Sequence, residues 1–206
     1  MWLCVLAAIL TGYLLGNLNG AVCVSLAMRD DVRSHGSGNA GLTNFIRSYG
    51  AGRAAGVIFI DAGKAFLACL VGRLLLDPYG YGLEGAAIGG ISVMLGHDFP
   101  ALLGFKGGKG ILSGLFIALA IDWRIGLIIL AVFAVAYFLT WYVSLGSVLA
   151  AITFSLCFCV MHNMQPVVMI CGAVMGVLTV FMHRGNIVRL LKGQERKTNL
   201  FKKDKE

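Results

Sequence analysis

Residues 2–28 read WLCVLAAILTGYLLGNLNGAVCVSLAM, an almost uninterrupted apolar stretch. A helix needs about 20 apolar residues to cross the hydrocarbon core of a bilayer. The stretch lacks the basic start of a cleaved signal sequence, so we expect it to stay as a first membrane span. The whole chain shares this character, being 58% hydrophobic and 13% charged with a mean hydropathy of +0.83. Soluble domains are about 25% charged, and the sequence therefore predicts an all-α polytopic membrane protein.

Seven apolar segments are candidate membrane spans. They lie at 2–28, 56–76, 85–95, 111–121, 125–142, 147–161 and 167–182. The third and fourth are short for a full crossing, so they are two short spans or one re-entrant pair lining a polar cavity. Either count, seven or five, is odd and places the two termini on opposite sides. We predict seven transmembrane helices, some short, in one integral membrane domain over residues 1–206.

Basic residues fall unevenly on the two sides of this layout. One side holds Arg73 and Arg124, and the other holds Arg29, Arg33, Arg47, Arg53, Lys106, Lys109, Arg184, Arg189, Lys192, Arg196, Lys197, Lys202, Lys203 and Lys205. Cytoplasmic loops carry the excess of Lys and Arg. The prediction is an N-terminus outside, a C-terminus inside, and cytoplasmic loops at 29–53, 96–110 and 183–206. The basic residues suit anionic membrane lipid, whereas nucleic-acid binding is not expected because no aromatic residues interleave with them.

Three long polar stretches lie on the predicted cytoplasmic side. They read DVRSHGSGNAGLTNFIRSYG (31–50), GHDFPALLGFKGGKG (96–110) and MHRGNIVRLLKGQERK (182–197). The glycines of the second allow a nest of backbone N–H groups, and Lys106 and Lys109 add two ammonium groups. Its spacing does not match a nucleotide P-loop, which needs four residues between Gly and Gly-Lys. The loop is a candidate phosphate site, the alternative being a flexible turn with positive-inside lysines.

The other two stretches supply further candidate side chains. In the first, Arg47 suits bidentate phosphate recognition, and the short hydrogen-bonding residues are Ser37, Asn39, Thr43 and Asn44. In the third, His183 and Asn186 share one face if the seventh span continues as a helix. The structural alternative for the first stretch is a turn before a helix, and for the third it is an ordinary interfacial histidine.

Ionisable and thiol groups also occur within the apolar segments. Asp61 and Lys64 are one helical turn apart in the second span, and we expect Asp61 to pair with Lys64 or with a loop arginine. The six cysteines lie in apolar stretches without a second Cys or His pair that would complete a zinc pattern. We expect no metal site.

The three polar stretches, in this order, resemble the motifs of the bacterial acyl-phosphate:glycerol-3-phosphate acyltransferase family, known as PlsY. The first family motif, Gly-Ser-Gly-Asn-Pro-Gly-Ala-Thr-Asn with a following Arg, is similar to residues 36–44 and Arg47. The second, Gly-His-x-Phe-Pro followed by Phe-Lys-Gly-Gly-Lys-Gly, matches 96–110, and the third is similar to 183–195. The segment YVSLGS (142–147) is a further echo. The chain departs from the family pattern at Ala40, Leu42, Gln194 and residues 16–19.

The resemblance implies transfer of a fatty acyl group from acyl phosphate to the 1-hydroxyl of glycerol 3-phosphate, giving lysophosphatidate and phosphate. It implies seven membrane helices, the bacterial inner membrane, a cytoplasmic active site and functional coupling to an enzyme that forms acyl phosphate. Neither acyl-CoA nor acyl carrier protein is used directly. It assigns essential roles to Ser37 and Arg47, activity to His183 and Asn186, and structure to Glu195. Glycerol-phosphate binding falls on Gly107, Gly108 and Gly110.

The residues themselves fit that chemistry. Lys109, with Lys106 and Arg47, is placed to neutralise the departing phosphate, and an activated acyl phosphate needs no cofactor. The general base stays open between His97, His183, Ser37 as a relay or nucleophile, and the substrate's own phosphate. Direct attack is preferred because no histidine is fixed by sequence beside Ser37. The alternative function is a membrane transporter or binder of glycerol phosphate or phosphate, although its site would lie nearer the midplane between repeats.

Overall fold

The computed structural model describes residues 1–199, and all regular secondary structure in that range is helical. The α-helices are α1 (Trp2–Gly16), α2 (Gly20–Ala27), α3 (Leu42–Tyr49), α4 (Ala54–Leu76), α5 (Gly82–Asp98), α6 (Ile111–Ile121), α7 (Trp123–Thr140), α8 (Val143–Met161), α9 (Pro166–Met182) and α10 (Arg184–Leu191). Residues 200–206 of the predicted cytoplasmic segment, which include Lys202, Lys203 and Lys205, lie outside the described residues.

Length and composition identify the helices that can cross a membrane. α4, α5, α7 and α8 qualify alone, and the bent pairs α1–α2 and α9–α10 raise the number to six. α6 is apolar but has only 11 residues. The prediction of an all-helical polytopic membrane protein is confirmed, whereas seven crossings and the orientation of the termini stay predictions. Most predicted spans match helices to within a few residues.

The first predicted span, 2–28, consists of two helices. α1 and α2 meet at an angle of 42° across a break at residues 17–19. Backbone groups freed at membrane depth need partners, because lipid offers none. Lys64 of α4 donates to the Leu18 carbonyl at 2.8 Å, and Asp61 accepts from the Gly20 N–H at 3.1 Å. Lys64 and Asp61 also pair with each other at 2.7 Å, both being almost fully buried.

Helix α5 lies in the middle of the bundle and packs against α1, α4, α6 and α9. Small residues make these close approaches possible. A side chain on Gly89 would collide with the Ala68 backbone of α4, and one on Gly96 with the Tyr13 backbone of α1. Membrane helices associate through such close backbone packing, since lipid provides no hydrophobic drive between them. Residues 96–98, placed by the sequence in a loop, are the last residues of this helix.

The condition under which His183 and Asn186 would share one helix face, a straight continuation of the seventh span, is not met. α9 ends at Met182, and the chain turns by 55° at His183 into α10. α10 places Asn186 and Arg189 over the same end of the bundle as α3, which is the helical part of the first polar stretch. The three polar stretches therefore meet at one end of the helix bundle.

Candidate active site

A cavity of about 930 Å³ opens where the three polar stretches converge. Most of the predicted site residues line it: Ser37, Asn39, Thr43, Asn44, Arg47, Asp61, His97, Lys109, Gly110, His183, Asn186 and Glu195. The structure does not bring the remaining predicted residues to its wall. Lys106 is exposed, Gly107 and Gly108 lie behind the wall, and Lys64 sits beneath it in α4.

Asn44 organises the first loop around Ser37. Its Oδ1 accepts from the Ser37 backbone N–H at 2.9 Å and from the Ser37 hydroxyl at 3.2 Å. Its Nδ2 donates to the carbonyls of Val32 and His35 at 3.0 and 3.1 Å. The Asn44 side chain is 2% exposed and thus uses its amide to hold the turn that presents Ser37. Gly36 has a φ of +57°, a conformation that glycine adopts without strain.

A chain of hydrogen bonds joins the second and third stretches. Lys109 Nζ donates to Asn186 Oδ1 at 2.5 Å, and Asn186 Nδ2 donates to Glu195 Oε1 at 2.8 Å. The second carboxylate oxygen of Glu195 accepts from Arg189 Nε at 2.7 Å. Glu195 therefore fixes the orientation of the Asn186 amide, and through it the position of the Lys109 ammonium.

Positive charge dominates this end of the cavity. Arg47, Lys109, Arg184, Arg189 and Arg196 line it. Burial lowers the pKa of Lys109, and the positive charge of Arg189 lowers it further, with smaller contributions of the same sign from Arg47 and Arg184. Glu195 opposes that shift. A site whose cations repel one another in this way is complementary to a dianionic phosphate.

Glu195 stays ionised within this cationic group. Burial acts to raise its pKa, but hydrogen bonds from Asn186 and Arg189 outweigh burial and hold the pKa below its usual value. The carboxylate is therefore an acceptor for both neighbours over the physiological pH range.

The glycines of the second stretch pack against His97. The Gly108 N–H donates to the His97 carbonyl at 3.0 Å, and a side chain on Gly107 or Gly108 would collide with His97. The Lys64 ammonium, which has only hydrogens to offer, lies 2.7 Å from His97 Nδ1. That nitrogen is therefore the acceptor, and neutral His97 carries its hydrogen on Nε2. These glycines serve close packing around a buried histidine.

His183 has the opposite arrangement of ring nitrogens. Its Nδ1 lies 2.8 Å from the Thr179 carbonyl, which can only accept, so Nδ1 carries the hydrogen. The neutral ring then has its lone pair on Nε2. No hydrogen-bond partner for that nitrogen is found within residues 1–199, and His183 lines the cavity. Of the two histidines, His183 alone has a ring nitrogen able to accept a proton from a bound group.

The cavity continues from its charged end into an apolar arm along α8. The lining residues of α8 recur every three or four positions, namely Val143, Ser144, Ser147, Ala150, Ala151 and Phe154. This face covers about 16 Å of helix. Ile129 and Leu130 of α7 and Met175 of α9 line the arm from the other sides. Leu130 lines the arm and is also exposed on the surface of the bundle, so the arm lies close to that surface.

The inner end of the arm is closed by aromatic packing. Phe154 lies against Phe158 one turn further along α8, with ring centroids 4.7 Å apart. Phe158 is fully buried, as is Ile125, which lies one turn beyond Ile129 on α7. The cavity therefore ends near the middle of the bundle.

Sequence reasoning missed several residues of this site. Ser144 and Ser147 lie in the quoted segment 142–147, so a signal for them was present. Arg184, Arg189 and Arg196 were noted only as positive charges. Thr198 carried no signal, yet it is 1% exposed and contacts Arg47.

Comparisons with known proteins agree with this geometry. Residues 6–193 match the profile of the family described as glycerol-3-phosphate acyltransferase. A protein of that name from Thermoanaerobacter sp. (strain X514) is 40% identical over 194 residues, which is 94% of each chain. One from Brucella anthropi is 36% identical over 196 residues, 95% of this chain and 94% of the relative.

Two solved structures are also similar. They are crystal structures of PlsY, an integral membrane glycerol 3-phosphate acyltransferase, in a glycerol 3-phosphate form and a lysophosphatidic acid form. The first has a TM-score of 0.85 at 31% identity, and the second 0.82 at 29%. Each comparison covers 95% of this chain and 96% of the other.

Proposed function

The chain belongs to the glycerol-3-phosphate acyltransferase family and acylates glycerol 3-phosphate in phospholipid synthesis; we propose that it takes the acyl group from an acyl phosphate. One observation carries this proposal. A cavity with a strongly cationic end leads directly into an apolar arm that runs along α8 close to the surface of the bundle. Acyl phosphate has this same division, a phosphate group joined to a fatty chain.

The charged end has room and charge for two phosphate groups. Lys109 and Arg47 lie on different stretches, and Arg184, Arg189 and Arg196 add three further cations. Such groups stabilise charge that develops in the transition state. Both substrates carry phosphate, and after Glu195 compensates one of these five cations, a single dianion would leave two positive charges uncompensated.

The proposed reaction is a direct acyl transfer between the two substrates. The 1-hydroxyl oxygen of glycerol 3-phosphate attacks the acyl carbon, a new ester bond forms, and the bond to the phosphate oxygen breaks. Inorganic phosphate leaves, and the hydroxyl proton ends on it. We assign Lys109 and Arg47 to the departing phosphate and the oxyanion. Ser37 orients a substrate oxygen, since Asn44 already holds its hydroxyl in a fixed turn.

We propose direct attack without an acyl-enzyme, and the hydrogen bonds of the two histidines bear on which group accepts the proton. His97 has Nδ1 occupied by Lys64 and a hydrogen on Nε2. His183 Nε2 and the substrate's own phosphate are the two acceptors left. His183→Gln distinguishes them, because glutamine keeps a hydrogen-bonding group but cannot take up a proton. Retention of most activity in that variant would assign the proton to the phosphate.

The membrane arrangement belongs to the same proposal. We assign seven transmembrane helices with α6 as the short one, an N-terminus outside, and an active site on the cytoplasmic face of the bacterial inner membrane. The asymmetry of Lys and Arg supports this orientation. A membrane-resident donor suits coupling to an enzyme that forms acyl phosphate.

Transport of glycerol phosphate or phosphate is the weaker alternative. A transport pathway must open to both sides of the membrane, whereas Phe154 and Phe158 close the inner end of this cavity. No observation favours the alternative.

Release of inorganic phosphate by purified protein tests the donor. With palmitoyl phosphate, release is expected only when glycerol 3-phosphate is present, and palmitoyl-CoA is expected to support no acylation. Lys109→Ala should lower kcat by about 10²–10³-fold, the effect of removing one charge-stabilising donor. Lys106→Ala is the matched control, since Lys106 is in the same loop but exposed and outside the cavity. Acylation from palmitoyl-CoA but not palmitoyl phosphate would overturn the donor assignment.

A further inference from the structure

The last described residues of the chain fold back across the site. Gly193, with a φ of +65°, turns the chain after α10, and residues 194–199 then run over the cytoplasmic end of the cavity. Gln194, Glu195 and Arg196 line its wall. The match to the family profile ends at residue 193, so this segment lies beyond it. We call residues 194–199 the strap.

Thr198 anchors the strap in three directions. Its backbone N–H donates to the Trp141 carbonyl at 3.0 Å, at the turn between α7 and α8. Its carbonyl accepts from the Tyr137 hydroxyl at 3.1 Å. Its side-chain oxygen accepts from Arg47 Nε at 2.9 Å and from Arg47 Nη2. These two donors lie on one edge of the guanidinium, so a single buried hydroxyl sets the plane of that group.

We infer that Thr198 is a positioning residue for Arg47. Arg47 comes from α3 and Thr198 from the strap, 151 positions apart. A long arginine side chain at a partly open cavity samples many rotamers, and holding it in one geometry costs conformational entropy. Tyr137 and Trp141 hold the Thr198 backbone, and the Thr198 hydroxyl therefore restricts Arg47 to one geometry before substrate binds. The strap thereby aims the Arg47 guanidinium at a phosphate in the cavity.

This inference rests on the proposed role of Arg47 in phosphate recognition, and its test separates the two. Thr198→Val keeps the shape of the side chain but removes the acceptor, and Thr198→Ser keeps the hydroxyl. We expect the valine variant to lose about tenfold or more in kcat/KM, the scale of a misaligned catalytic group, and serine to restore most of it. Lys197→Ala is the matched strap control, because Lys197 is exposed, does not line the cavity and places its ammonium over the Tyr142 ring.

A double-mutant cycle provides the decisive reading. In an Arg47→Lys background, which cannot offer the same two-donor edge, Thr198→Val should cause little further loss. The inference would be overturned if the double variant lost as much kcat/KM as the product of the two single losses. It would also be overturned if Thr198→Ser were as impaired as Thr198→Val. Affinity for inorganic phosphate, the departing group assigned to Arg47, is measured by calorimetry across the same variants and gives a readout that needs no acyl transfer. If palmitoyl phosphate is not a donor, the same ordering of affinities still decides the role of Thr198.

Discussion

The Lys109 ammonium is held by the Asn186 amide, which is oriented in turn by Glu195. This relationship links two stretches that are 77 positions apart and makes the position of the Lys109 charge depend on α10. An ammonium on a flexible stem gains directional precision only from such a partner.

Asn186 is therefore expected to act through Lys109. Asn186→Ala should lower kcat by about tenfold or more, because the ammonium loses its anchor. In a Lys109→Ala background the same change should have little further effect. Steady-state phosphate release from the four proteins of this cycle measures the coupling. Independent, multiplicative losses would show that Asn186 contacts substrate on its own account.

The lowered pKa of Lys109 predicts an alkaline limb in the pH profile. Burial, Arg189 and its other cationic neighbours lower the pKa of this group in the free enzyme. Activity requires the protonated form, so kcat/KM is full at lower pH and falls as pH rises through that lowered pKa. Lys109→Arg should remove or move this limb upward, since arginine stays charged. An unchanged limb in the arginine variant would assign it to another group.

The closed end of the apolar arm is expected to set acyl-chain length. Phe154→Ala deepens the arm and should raise the kcat/KM for stearoyl phosphate relative to that for myristoyl phosphate. We expect about a tenfold change, which is at the low end of the discrimination that a hydrophobic pocket achieves for one methylene group. Ala150→Leu fills the arm one turn nearer the charged end and should shift the ratio the other way.

Ile117→Ala is the control for both substitutions. Ile117 is fully buried in the same core, outside the cavity lining, and packs towards Gly90. It should destabilise the protein without changing the ratio. If Phe154→Ala and Ala150→Leu also leave the ratio unchanged, the acyl chain leaves the arm sideways at Leu130.

The buried Asp61–Lys64 pair is expected to stabilise the broken first span. Lys64→Met should lower the free energy of unfolding by about 3–5 kcal/mol, because it leaves a buried carboxylate unpaired. For an ordinary ion pair, the double change Asp61→Leu with Lys64→Met would recover that loss. Here it should not, since the Leu18 carbonyl and the Gly20 N–H lose their partners as well.

Thermal unfolding in detergent, followed by intrinsic fluorescence, measures these effects. Arg33→Met is the matched control, since both side chains of its ion pair with Asp31 are about one-third exposed and the pair should contribute less than about 1 kcal/mol. Recovery of stability in the double variant would contradict the role in the broken helix.

The sequence by itself determined the class of this protein. Apolar segments of spanning length require helices, because only they satisfy their own backbone within lipid. The three polar stretches also identified most of the cavity wall, since residues such as Ser37, Lys109 and His183 are unusual next to membrane segments. Their resemblance to a family indicated the reaction.

Tertiary structure alone decided the features that depend on distant partners. At the break at residues 17–19, Asn19 caps α2 locally by accepting from the Val22 N–H, but the partners Asp61 and Lys64 come from α4 and could not be read from the local sequence. Thr179 decides which ring nitrogen of His183 carries the hydrogen, and Lys64 does the same for His97. No local sequence pattern indicated that Thr198 contacts Arg47 at the site. Hydropathy and spacing report neighbours along the chain, whereas these roles depend on contacts that packing makes across it.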